Sequence, residues 1–210
     1  MRVDFIELLR CPGHHEPSAL VTVAELRDGD RLIAGTLGCP VCQAEYLLAD
    51  GVVDLTTPCA RHVPRRATTV AEPTDGARMA ALLNLAEPGL RVALCGAQAL
   101  HAEVLTAMSD AHCLAINAPR GLTAVVSSLR MDIGGVLPLA GASLQGLGVD
   151  AHHAGLLADA ARVVRVGGRV VGPVQTPIPP GLRELARDAV EWVAQVEAAA
   201  GSPIQLARAG

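Results

Sequence analysis

The chain has 210 residues, half of them apolar and 18% charged, which suits one medium domain or a small one joined to a medium one and argues against global disorder. All 17 basic residues are Arg, the 21 acids leave a formal net charge of −4, and no basic run exceeds Arg65-Arg66, which argues against a strong electrostatic grip on nucleic acid. Phe5, Tyr46 and Trp192 are the only aromatics, too few for stacking bases, and Gly, Pro or charge cuts every apolar run short of a membrane span.

The first ten residues carry acids inside their apolar run, which is wrong for a signal peptide and points to a cytoplasmic protein. In a reducing compartment the six Cys serve metal binding or burial rather than a disulfide framework. Asp4 is placed to cap a short helix over Phe5–Arg10, followed by Cys11-Pro-Gly-His14. Alternation over Ala19–Leu26 predicts a strand, Arg27-Asp-Gly-Asp a turn, and Arg31–Leu37 a second strand ending at Cys39-Pro-Val-Cys42. Tyr46-Leu-Leu-Ala, a turn at Asp50-Gly51 and Val52–Leu55 complete a small unit over 1–57.

The two knuckles, Cys11-x-x-His14 and Cys39-x-x-Cys42, have the spacing of a tetrahedral zinc site, because a two-residue gap lets both side chains of a pair reach one ion from a tight turn. Four protein ligands close the site, so the zinc would be structural. Three alternatives stay open at this point: His15 in place of His14, a pair from Cys59-x-x-His62, or buried thiols with no metal. The unit resembles the Trm112-like, or UPF0434-type, zinc domain through Leu8-Leu9-x-Cys11-Pro12, Gly35-x-Leu37-x-Cys39-Pro40-x-Cys42 and Tyr46-x-x-x-Asp50-Gly51-Val52-x-Asp54-Leu55. Where His14 stands the family commonly has Cys. The resemblance implies either a partner of a methyltransferase or a unit fused in front of one.

Residues 58–73, with Pro58, Pro64, Pro73 and an Arg cluster, read as a linker. From Thr74 the spacing of Met79, Leu82, Leu83 and Leu85 predicts a helix. Strand Val92–Cys95 then turns at Gly96 into a helix over Ala99–Met108. Strands follow at His112–Asn117, Thr123–Leu129 and Leu144–Val149; Asp150 caps a helix over Ala151–Val164, and a fifth strand covers Arg169–Val174. The tail is expected to hold a short helix near Leu182–Arg187 and an antiparallel pair, Val190–Glu197 with Ile204–Arg208. Alternating strand and helix makes the fold α/β, a doubly wound Rossmann-like parallel sheet over 74–210 with an antiparallel strand pair at its end.

This second region resembles class I S-adenosylmethionine-dependent methyltransferases. The resemblance rests on Leu82-Leu83-x-Leu85-x-x-x-Gly89-x-Arg91-Val92, on Leu137-Pro138-Leu139-x-x-Ala142-Ser143, and on the run from Leu157 through Arg162-Val163-Val164-Arg165-Val166-Gly167-Gly168-Arg169 to Val171. It implies a cofactor site at Gly96, Asn117 and Asp132, and in each place the family's pattern is broken. The first motif keeps Gly96 but has Leu94 for its acid and Gln98 and Leu100 for its other glycines. Asn117 stands where an acid grips the ribose, Asp132 is one place off register beside Ile133, and Gln145 replaces a fourth acid. The side chains of Gln98 and Leu100 are expected to fill the cofactor's space.

No catalytic residue is assigned. His152 and His153 read as surface residues, and Cys95 and Cys113 as inert core thiols. The expected protein is a zinc-stabilised, methyltransferase-like binding, scaffold or regulatory subunit with a protein partner or a second copy of itself. The alternative is an active methyltransferase with an atypical pocket.

Overall fold

The computed structural model describes residues 1–56, 73–119, 122–132 and 136–197. The sequence-predicted linker apart from Pro73, which opens the helix that follows, the pair Cys59/His62, Ile133 and the strand Ile204–Arg208 lie outside the described residues.

Apolar runs in β-favouring sequence place eleven strands in one sheet, ordered β1-β2-β3-β4-β7-β6-β5-β8-β9-β11-β10. β1 (Val21–Asp28), β2 (Arg31–Gly38), β3 (Glu45–Ala49) and β4 (Val52–Asp54) form an antiparallel meander. β4 then pairs in parallel with β7 (Ser127–Arg130), Val52 opposite Ser128 and Val53 opposite Leu129. The centre is parallel and runs through β6 (His112–Ile116), β5 (Arg91–Cys95), β8 (Leu144–Val149) and β9 (Val164–Pro173). It is buried on both faces, as its near-continuous Val, Leu and Ala runs require. β11 (Glu191–Val196) is antiparallel to β9 and to β10 (Leu182–Arg187). The fold is α/β, a mostly parallel central sheet flanked by antiparallel strands.

Two cores sandwich this sheet. On one face α1 (Val3–Ile6), a 3₁₀ segment Ala151–Asp159 and α4 (Ala160–Val163) bury Phe5, Leu9, Leu37, Leu48, Leu147 and Trp192. On the other, α2 (Pro73–Leu83) and α3 (Ala102–Ser109) bury Met79, Leu83, Leu94 and Leu105 against the strands. At about 25 cal/mol per Å² of apolar surface, each such Leu adds roughly 1.5–3 kcal/mol.

Two expected elements are corrected. The first helix covers Val3–Ile6 with its N-cap at Arg2, so Asp4 lies inside the first turn rather than capping a helix over Phe5–Arg10. Leu182–Arg187 is strand β10, not a helix: the Asp188 carboxylate accepts from the N–H groups of Val190 (2.7 Å) and Glu191 (2.9 Å), closing a tight turn that returns the chain as a hairpin. The two expected helices after β5 and β8 begin as 3₁₀ turns, Gly96–His101 and Ala151–Asp159, before α3 and α4.

Candidate functional site

The first candidate lies at the knuckles. The turn after α1 carries Cys11 and the turn between β2 and β3 carries Cys39 and Cys42. The fourth residue beside these three is His15; the four donor atoms lie within 4.8 Å of one another. His14, the sequence-predicted ligand, is exposed and is not one of this group. The His15 Nδ1–H donates to the Glu16 carbonyl at 2.7 Å, which fixes the tautomer and leaves the Nε2 lone pair 3.4 Å from the Cys39 Sγ. Cys11 and Cys42 Sγ atoms are 3.6 Å apart. Two thiolates on one tetrahedral zinc stand about 3.7 Å apart and a thiolate and an imidazole about 3.5 Å, so the donor set fits zinc.

Backbone N–H groups of Gly13 and Val41 point at the Cys11 and Cys39 sulfurs, each at 3.4 Å. Burial pushes the Cys39 thiol up, but hydrogen bonds from the Cys42 and Val41 backbone and from the neighbouring thiols outweigh it and bring it down to about 6. Burial dominates at Cys11 and raises it, against the Tyr46 hydroxyl at 3.4 Å. The Cys39 thiolate is therefore ready-made, whereas Cys11 needs the ion's charge to lose its proton.

The second candidate is the switch point of the parallel sheet, at the carboxyl ends of β5 and β8, where doubly wound folds seat their ligands. Gly96 follows β5 with φ +63°. A Cβ there would collide with the Asp150 carboxylate and the His153 ring, so glycine is required by backbone and space alike. Asp150, directly after β8, accepts from the Ala97 N–H (2.7 Å), from the His153 N–H (3.0 Å) and from the His153 Nδ1–H (2.7 Å). Burial pushes this carboxyl up, but the bonds from the His153 ring and the Ala97 N–H outweigh it and hold it below its ordinary value.

Asn117, with φ +51°, uses its amide twice on one neighbour: its Nδ2–H donates to the Met131 carbonyl (3.0 Å) and its Oδ1 accepts from the Met131 N–H (2.9 Å). Its second Nδ2–H faces the His153 Nε2 at 3.5 Å. Both ring nitrogens of His153 are thus engaged, Nδ1 with Asp150 and Nε2 with Asn117. Asp132 is half-buried directly after the clamped Met131.

His153 is only 5% exposed, which corrects its reading as a surface residue; His152 is exposed. The missed signal was the i, i+3 spacing behind a capping Asp, which brings the ring back onto the cap. Gln98 turns away from Gly96: its Cβ and Cγ lie over Gly148 and its amide meets the Glu191 carboxylate at 3.5 Å. The side chains packed against Gly96 are Asp150 and His153. Cys95 and Cys113 are fully buried, and burial pushes both thiols up, Cys113 to about 11, so neither is a nucleophile.

No family model matches the sequence, and no curated protein matches it. Solved structures do. TrmN from Thermus thermophilus is 16% identical, with a TM-score of 0.46, 61% of this chain covered and 50% of that one. A chain from the complex between the Haloferax volcanii Trm112 methyltransferase activator and a methyltransferase is 10% identical, with a TM-score of 0.45, 62% of this chain covered and 96% of that one. A geranyl diphosphate methyltransferase in complex with SAM is 14% identical, with a TM-score of 0.39 and 48% of each chain covered. The chain thus spans about half the length of TrmN and of the geranyl diphosphate enzyme.

Proposed function

We propose that the chain is a binding or scaffold subunit built on a methyltransferase-type sheet, stabilised by a structural zinc and without a working site for S-adenosylmethionine. One observation carries this reading: the cradle after β5 is filled from within. The Ala97 N–H is taken by Asp150, the space above Gly96 by Asp150 and His153, and the Asn117 amide by the backbone of Met131. A methyl donor would have to break these bonds and would gain no carboxylate at Asn117 for its ribose hydroxyls. Each such carboxylate–hydroxyl bond is worth roughly 1.5–3 kcal/mol, so losing two costs around two to four decades of affinity. The residues present do not fit the donor.

They do fit zinc. Cys11, His15, Cys39 and Cys42 would hold it, and the ion would tie the turn after α1 to the turn after β2, a cross-link that supplies folding free energy but leaves no open coordination position for chemistry. With neither a donor site nor a catalytic constellation among the described residues, the chain acts through what it binds, a protein partner or a second copy. Titration calorimetry of the zinc-loaded protein with S-adenosylmethionine is the test. A flat titration is expected; a dissociation constant in the micromolar range would overturn the reading.

A further inference from the structure

On the face of the sheet that α2 and α3 cover, the helical layer stops at β6 among the described residues. Residues 117–119 and 122–126, between β6 and β7, form no helix, although a parallel crossover commonly carries one. Beyond that point the strand registers align three rows on this face. Ala115, buried under α3, lies beside Ser128, which lies beside Val52 and then Ala49. Two residues along β3, Leu47 stands beside Thr36 and Val23; two further, Glu45 stands beside Gly38 and Val21. Val21, Val23 and Leu47 are 60%, 64% and 62% exposed. Where the first row meets the edge of the helical layer there is a cavity of about 290 Å³, lined among others by Ile33, Val52, Leu122 and Val126.

Three exposed apolar side chains on one sheet face, interleaved with Thr36 and Gly38, offer surface of the kind an interaction site uses. Its surroundings are acidic: residues 1–56 hold nine acids against four Arg. Glu45 lies in the third row, Glu25 in β1 and Asp50 at the cavity, and none of them has an ion pair among the described residues. Arg31, at the cavity, is committed to the Val125 and Val126 carbonyls, both at 3.1 Å. From β1 to β7 the face spans four strand spacings, about 19 Å, close to the length of a helix of about twelve residues.

We propose that the uncovered face of β1–β4, running into the cavity beside β7, docks a basic amphipathic helix of a protein partner, which completes the layer that α2 and α3 begin. This rests on the reading of the chain as a binding subunit and supplies the class of partner. The partner's apolar stripe lies on Val21, Val23 and Leu47, and its cationic flanks meet Glu25, Glu45 and Asp50.

The test uses the full zinc-loaded chain and two labelled fourteen-residue peptides of helical period, one of Leu and Lys and one of Leu and Glu, read by fluorescence anisotropy. The Leu/Lys peptide is expected to bind and the Leu/Glu peptide to fail. Leu47→Asp and Val23→Asp, both at exposed positions, should each weaken binding at least about tenfold, with circular dichroism unchanged. Glu45→Lys should weaken it several-fold in a salt-dependent way. Equal binding of the two peptides, no binding of either, or indifference to Leu47→Asp would overturn the proposal. So would elution as a dimer that Leu47→Asp converts to monomer, which assigns the face to a second copy. Calorimetry with S-adenosylmethionine on the same samples separates the two readings: heat there sinks the scaffold reading whatever the peptides do, and peptide failure with a flat titration sinks only the docking face.

Discussion

His15 and His14 are adjacent, and the backbone around them brings only His15 into the group with the three cysteines. The Glu16 carbonyl holds the His15 ring so that Nε2 faces the thiols, while His14 is exposed. His15→Ala should therefore abolish stoichiometric zinc, read by metal analysis after dialysis, and His14→Ala should leave one ion per chain. That Cys11, Cys39 and Cys42 lie together was legible from their spacing; that His15 rather than His14 stands beside them was not, since a two- or three-residue gap closes the same ring. At the switch point, Gly96→Ala combines a positive φ with a collision against Asp150 and His153, and should destabilise the fold by about 2 kcal/mol or more in urea denaturation. Asp150 titrates below its ordinary 3.8 when folded, so its contribution is fully present above that value and is lost as the pH falls through the lower folded value. Asp150→Asn should accordingly cost about 1–3 kcal/mol at pH 7, and its gap to the native chain should narrow by pH 3.

Between elements, the tie that sequence could not supply is the one joining α2 to β11. Arg78, on α2, bridges Glu191 and, at 2.6 Å, Asp188 at the β10–β11 turn. Glu191 is only 6% exposed, so removing its partner strands a buried charge. Arg78→Ala should cost about 1–2 kcal/mol in chemical denaturation, less than for a wholly buried pair because the Arg78 side chain is 45% exposed to solvent. Glu191→Gln in the same background should recover part of it. The central strands were readable from their uninterrupted Val, Leu and Ala runs. β10 was not: Leu-Arg-Glu-Leu-Ala-Arg consists of helix formers, and its strand state comes from the Asp188 turn and the pairing with β11. His153 was missed for a related reason, since local pattern marks the first turn behind a cap as exposed while the ring folds back onto Asp150.

At the scale of the molecule, the sheet runs unbroken from the knuckle meander into the parallel strands through β4 and β7, and Leu48, Val53 and Leu129 share one core with Leu147 and Trp192. Calorimetric unfolding should show a single transition, and chelation of zinc should move it downward as a unit; two peaks, one indifferent to chelator, would mean the meander unfolds alone. The architecture was legible from alternation of strand and helix, whereas the seam was not, because nothing in Val52-Val53-Asp54 names Ser127–Arg130 as its neighbour. That seam also fixes an order of events during synthesis. Val52 leaves the ribosome 76 residues ahead of its cross-strand partner Ser128, an interval of about 4–15 s at ordinary elongation rates. Throughout that interval β4 offers the nascent chain an open hydrogen-bonding rim, the kind of unpaired edge that invites mispairing until its partner strand is made.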